Sequence, residues 1–370
     1  MQRRGHVLAL QGIPLSEGPP GRWDWLAAGV DRAAHGFALS RSRRSRRRSR
    51  AESLGPAERA AALTSLRERY GHRLFIDEPE SFFPTPAAPE VRGARVRGLR
   101  GGGQVTDLSW PSNYRPFASD VAERYSAFER NGTVVARLFQ RGDRPRPAVI
   151  LIHGYLGGHH AIEERTWPIP WFLRRGLDAA LFVLPLHASR SDGGRPKFPS
   201  SDPRLTIEGF RQAVHDLRAL IGHLRAAGAP DVGVIGMSLG AYTCALLATV
   251  EARLSFAVPF VPLASIADFA AEGERFVGTP AEREQQHRLL DAVFEVVSPL
   301  ARPPLVPPAG RLVVAGRSDR ITPAGHARRL AAHFEAPLTF FPGGHLIQLG
   351  RSEGFRAVGR MLGALDLLEP

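Results

Sequence analysis

Apolar positions in the first fifty residues are scattered among Gly, Pro and Arg without regular spacing, and only residues 23–39 hold a weakly amphipathic patch suited to a helix. Residues 56–73 place Ala57, Ala60, Ala61, Leu63, Leu66 and Tyr70 near one stripe, which predicts a helix. Residues 82–89 carry too many prolines for a regular element. Three strand-like stretches follow at 91–99, 105–110 and 133–139, divided by G-G-G and N-G turns, and read as an antiparallel set.

From Ala148 the pattern changes. Continuous apolar runs, A-V-I-L-I-H, A-A-L-F-V-L-P, V-G-V-I-G, R-L-S-F-A-V, R-L-V-V-A-G and A-P-L-T-F-F-P, predict buried strands. Helical stretches at 163–174, 207–227, 241–252, 323–334 and 354–365 lie between and after them. This alternation predicts the α/β class: a mostly parallel central sheet with helices on both faces and the antiparallel strands as lead-in. Only residues 262–308 interrupt it, with a helical piece at 279–297 and a proline-rich return. That interruption suits a lid, and equally a crossover helix with a long connection. The expected organisation is a partly disordered Arg/Ser/Pro/Gly-rich region over 1–54 and one α/β domain over 55–370.

Charge alters this picture in one place. The net charge is +13, and the run from Arg41 to Arg50 (R-S-R-R-S-R-R-R-S-R) supplies seven of the positive charges. Charge alone would let it hold a nucleic acid or an anionic surface. No aromatic residue interleaves the arginines to stack on bases, so a solvated tail is the favoured reading. Lys197 is the sole lysine and Cys244 the sole cysteine, which excludes an intramolecular disulfide and a thiol-rich metal site. Cys244 falls on the inner pattern of its helix, as a small core residue would. No run is long enough to span a membrane, and the apolar run after the first basic residues stops after four positions. A cytoplasmic location is expected.

The chemistry centres on V-G-V-I-G-M-S-L-G-A, where a buried strand turns into a helix of small residues. Ser238 sits between Gly236 and Gly240 at the spacing G-x-S-x-G, a turn too tight for side chains on its flanks. Its position at a helix N-terminus favours developing negative charge. A nucleophilic serine needs a base, and the base needs an orienting acid. Asp319, in G-R-S-D-R, follows one strand; His345, in G-G-H, follows the next. Both fall at the sheet edge that carries Ser238. His187 in L-P-L-H-A-S-R lies at the same edge and is a candidate pocket residue. His326 and His333, on the helix after Asp319, are expected at the surface. Asp268 is a rival acid that follows no clear strand. The loop H-G-Y-L-G-G from His153 follows the strand A-V-I-L-I, and its glycines permit close backbone approach. The N–H groups of Tyr155 and Leu239 are the expected oxyanion donors. His153 is a second candidate at the pocket, better placed to brace the loop than to move protons.

Together G-M-S-L-G, H-G-Y-L-G-G, the aspartate of G-R-S-D-R and the histidine of G-G-H resemble the α/β-hydrolase superfamily, from about Ala148 to the C-terminus. The resemblance implies Ser238 as nucleophile, His345 as base, Asp319 as orienting acid, Tyr155 and Leu239 as oxyanion donors, and no metal or organic cofactor. The dienelactone-hydrolase branch usually has a cysteine nucleophile, and this chain has serine. The implied function is hydrolysis of a carboxylic ester of a small molecule through an acyl-serine. A peptidase, amidase or thioesterase is the enzymatic alternative, and a non-catalytic binding protein on the same fold the alternative of another class.

Overall fold

The computed structural model describes residues 54–142 and 144–369, together with Ala28, Gly29 and Asp31. The run from Arg41 to Arg50 lies outside the described residues. Of the helical patch expected over 23–39, Ala28, Gly29 and Asp31 are described, and all three are helical.

The lead-in strands are β1 (Arg92–Gly98), β2 (Gln104–Pro111) and β3 (Thr133–Gln140), paired antiparallel in succession. β4 (Ala148–Ile152), β5 (Asp178–Phe182), β6 (Val232–Met237), β7 (Phe256–Phe260), β8 (Val313–Gly316) and β9 (Leu338–Phe341) follow as the six strands read from the apolar runs. They form one nine-stranded sheet in the order β1-β2-β3-β5-β4-β6-β7-β8-β9. β3 joins antiparallel to β5, and every pairing beyond it is parallel. β4, β5 and β7 are buried throughout, as apolar runs without alternation require of a sheet covered on both faces.

The helices are α1 (Pro56–Tyr70), α2 (Leu74–Asp77), α3 (Ser119–Ser126), α4 (His160–Thr166), α5 (Ile169–Arg174), α6 (Pro203–Ala226), α7 (Leu239–Ala248), α8 (Ile266–Glu272), α9 (Pro280–Phe294), α10 (Ala324–Phe334) and α11 (Ser352–Ala364). The single helix expected over 163–174 is two, α4 and α5. The residue before a proline is pushed out of the helical region, and Trp167 before Pro168 is extended (φ −91°, ψ 143°). Residues 262–308 carry the chain from β7 to β8, and α9 packs against α1 and α8. Among the described residues no helix is long and apolar enough to cross a membrane.

Helix α6 carries an unusual buried polar row, Glu208, Gln212 and Asp216, at four-residue spacing along one face. This row receives the lead-in connection. Glu208 accepts from the N–H groups of Phe117 and Ala118, Gln212 from Tyr125 and Asn131, and Asp216 from Ser112. Arg190 closes the network with its Nη2 2.7 Å from Asp216, both side chains wholly buried. The carboxylates and the amide of this row therefore have partners, the condition on which burying them is tolerable, while Arg190 Nε is left without one.

Candidate active site

Ser238 lies between β6 and α7 with φ 57° and ψ −114°, a conformation rarely adopted by a residue with a side chain. Such strain costs about 1–3 kcal/mol and persists where the surroundings over-determine it. They do so here. The Ser238 N–H donates to the Phe260 carbonyl at 3.0 Å, and its own carbonyl accepts from Ala241 and Tyr242. A Cβ on Gly236 would stand 1.9 Å from the Gly240 carbonyl oxygen, and one on Gly240 2.2 Å from that of Ile152. Both glycines are therefore steric necessities, as their spacing predicts.

The elements after β8 and β9 bring the other two residues to this hydroxyl. His345 Nε2 is 2.8 Å from Ser238 Oγ, and His345 Nδ1 is 2.8 Å from Asp319 Oδ2. A carboxylate only accepts, so Nδ1 carries the proton and Nε2 presents its lone pair to the serine hydroxyl. Asp319 is held on all sides. Its Oδ1 accepts from the N–H groups of Ile321 (2.9 Å) and Thr322 (2.8 Å), and its Oδ2 from the Thr322 hydroxyl (2.9 Å). The Thr322 oxygen also lies 3.1 Å from His345 Nδ1 and 3.2 Å from the Val261 carbonyl. Thr322 thus touches both Asp319 and His345. Asp268, the rival acid, lies 2.8 Å from His287 and pairs with Arg329, on a different side-chain cluster.

The loop after β4 passes beside Ser238: a Cβ on Gly154 would sit 3.3 Å from Ser238 Cβ. Among the described residues no backbone carbonyl accepts from the N–H of Tyr155 or Leu239, which leaves both free to donate. His153 braces this loop. Its Nδ1 donates to the Gly154 carbonyl at 2.7 Å and its Nε2 accepts from the Leu184 N–H at 3.0 Å, so neither nitrogen is left for a substrate. Burial, reinforced by the neighbouring His187, pushes its pKa down to about 3. His187 is also buried. Its Nδ1 pairs with the Pro185 carbonyl at 2.9 Å, and burial lowers its pKa to about 4. Its ring contacts His153 and Tyr155, behind the loop.

With this geometry in hand, comparison with known proteins is informative. The model of the alpha/beta hydrolase family matches residues 149–358, more than half of the chain. The chain belongs to the alpha/beta hydrolase family. An uncharacterized protein of Mycobacterium tuberculosis is 30% identical to it over 291 residues, covering 75% of this chain and 68% of that protein. Acetyl xylan esterases from a Paenibacillus species and a Thermoanaerobacterium species superpose with a TM-score of 0.53 each. They are 14% and 16% identical, and each comparison covers 81% of this chain and 98% of the esterase. These two likenesses are of fold.

Two carboxylates of this hydrolase chain have roles at the site that its sequence does not announce. Glu163 in α4 accepts from the Gly158 N–H (2.9 Å) and the Trp167 indole (3.0 Å), so it fixes the far end of the Tyr155 loop. The second is Asp31, which accepts from the N–H groups of His345 and Leu346. An acidic residue four before a tryptophan is a weak signal for the first, and a lone aspartate in a weakly amphipathic patch is no signal for the second. One expectation is corrected: His326 is buried, not at the surface. It falls on the inward stripe of α10 with Ala327, Leu330, Ala331 and Phe334, and its ring meets the Ala264 N–H and Glu272. His333 is half-buried against the Arg302 carbonyl.

Proposed function

We propose that this chain is a serine hydrolase that cleaves a carboxylic ester through an acyl-serine intermediate. One observation carries the reading: the unbroken line of hydrogen bonds from Asp319 through His345 to Ser238 Oγ. In this mechanism the Ser238 oxygen attacks the ester carbonyl while His345 Nε2 takes its proton. Asp319 holds the resulting imidazolium, which is already tethered at Nδ1. Negative charge grows on the former carbonyl oxygen, where the N–H groups of Leu239 and Tyr155 stabilise it; losing one such donor typically lowers turnover by about 100- to 1000-fold. His345 then returns the proton to the leaving alkoxide. Water activated by the same imidazole attacks the acyl-serine and frees the acid.

Tyr155, Leu156 and Leu346 are exposed apolar residues beside the loop donor and the histidine. They favour an acyl group that offers carbon surface over a charged one. The two fold neighbours are acetyl xylan esterases, which agrees with an ester as the bond cleaved.

The test compares p-nitrophenyl esters of graded chain length with the matching p-nitroanilides, using Ser238→Ala as the blank. Ester turnover at least about 100-fold faster than anilide turnover, a barrier difference of about 3 kcal/mol, is expected. Equal or faster cleavage of the anilides would replace the esterase reading with a peptidase or amidase.

A further inference from the structure

We propose that Asp31 is a positioning residue for His345. The proposal rests on the reading of Ser238, His345 and Asp319 as a triad. Its observation is separate. The Asp31 carboxylate is completely buried and straddles the loops after β8 and β9. Its Oδ2 accepts from the His345 N–H at 2.5 Å and the Arg320 N–H at 3.4 Å, and its Oδ1 from the Leu346 N–H at 3.0 Å. One side chain thereby ties the backbone of the base to the residue that follows the acid. These partners lie 289 to 315 positions away in sequence, so the contact is tertiary rather than a local turn.

The N–H groups of Arg320, His345 and Leu346 find no backbone carbonyl among the described residues. The His345 N–H is buried and must be paired, and its 2.5 Å bond to the carboxylate is short, as charge-assisted bonds are. Without Asp31 the loop at His345 would have to relax toward water or another acceptor. Its imidazole must hold 2.8 Å contacts on both sides at once. A misplacement of about 1 Å at a reacting group can lower a rate about 100-fold, so anchoring the main chain of the base is a direct lever on turnover. The ester should still bind, because among the described residues the partners of Asp31 are backbone N–H groups and not side chains that would meet it.

The experiment compares full-length wild type, Asp31→Ala and Asp31→Asn. The readouts are the second-order rate of Ser238 modification by a fluorophosphonate, kcat and KM on a p-nitrophenyl ester, and Tm. In Asp31→Ala, kcat and the modification rate should each fall about tenfold or more while KM stays within about twofold. Asp31→Asn keeps the size and one acceptor oxygen, and should fall in between. Wild-type modification rates in Asp31→Ala would overturn the proposal. So would a loss confined to KM or Tm, or recovery of both variants only as unfolded protein, since either result makes Asp31 purely structural. Failure of wild type itself to be modified would instead remove the triad reading, and the two failures are thus distinguishable.

Discussion

At the residue scale the site depends on a few positions where no other side chain, or none at all, can stand. Gly240→Ala would place a methyl 2.2 Å from the Ile152 carbonyl oxygen and 2.5 Å from that of His153, with backbone on both sides unable to yield. We expect at least about 3 kcal/mol of destabilisation, read as a lower urea midpoint; a loss under 1 kcal/mol would mean the elbow tolerates a wider turn. Thr322 contributes chemistry instead of space. Its hydroxyl bridges Asp319 Oδ2 and the ring of His345, so Thr322→Val should lower kcat about tenfold with little change in KM. Steady-state kinetics on the best ester would check this, and an unchanged kcat would make the hydroxyl a spectator. Ser238, Asp319 and His345 were legible because each follows an apolar run at one sheet edge, where chain order alone brings them near. Thr322, Glu163 and Asp31 were not, because their partners are set by how loops close on one another.

At the scale of elements, strands were read well and helix ends less well. Strands in a doubly covered sheet are long apolar runs with abrupt borders, whereas Pro168 divides α4 from α5 inside what looks like one amphipathic stretch. The buried face of α6 was read as part of a helix, but its polar row was not, since Glu208, Gln212 and Asp216 look like a solvated stripe until the lead-in covers them. The buried histidines beside the loop after β4 give the elements a pH signature. His153 and His187 have folded pKa values of about 3 and about 4 because burial disfavours their charged forms. The unfolded chain therefore binds more protons at these two positions below about pH 6.5, and their contribution to stability is lost as pH falls. Asp178 acts in the opposite sense, since burial raises its pKa to about 6 and the folded state holds its proton. These three groups together give an uptake of about one proton on unfolding at pH 5; burial also lowers the pKa values of His160 and His223, which adds to it, and raises that of Glu163, which opposes it. Calorimetry in buffers of different ionisation heat should show this uptake, together with a Tm that drops from pH 7 to pH 5. A flat or rising Tm would contradict the assignment of both histidines as buried and neutral.

At the scale of the whole molecule, the antiparallel lead-in is not an ornament on a parallel core. Arg190, from the loop after β5, bonds to the carbonyls of Val183 (3.1 Å) and Asn131 (3.0 Å) and to Asp216 of α6 (2.7 Å). Asp216 in turn accepts from Ser112 at the end of β2. One buried ion pair thus fastens the lead-in, the sheet and a covering helix. Removing one partner leaves an uncompensated buried charge, so Arg190→Ala should cost about 3–5 kcal/mol in urea unfolding. A cost below 1 kcal/mol would show that water replaces the guanidinium. The α/β class and the placement of the site at the strand ends were readable from the alternation of runs alone. The union of Asp31 with the far end of the chain was not, because a contact across some three hundred residues leaves no trace in local pattern.

The proposal that Ser238 is an activated nucleophile is tested by covalent modification. Full-length protein is treated with a fluorophosphonate and its intact mass and modified peptide are read by mass spectrometry. A single adduct on Ser238 is expected, absent from Ser238→Ala and slowed by at least about 100-fold when His345 is replaced by alanine. An adduct elsewhere with Ser238 untouched, or equal modification of the His345→Ala variant, would contradict it.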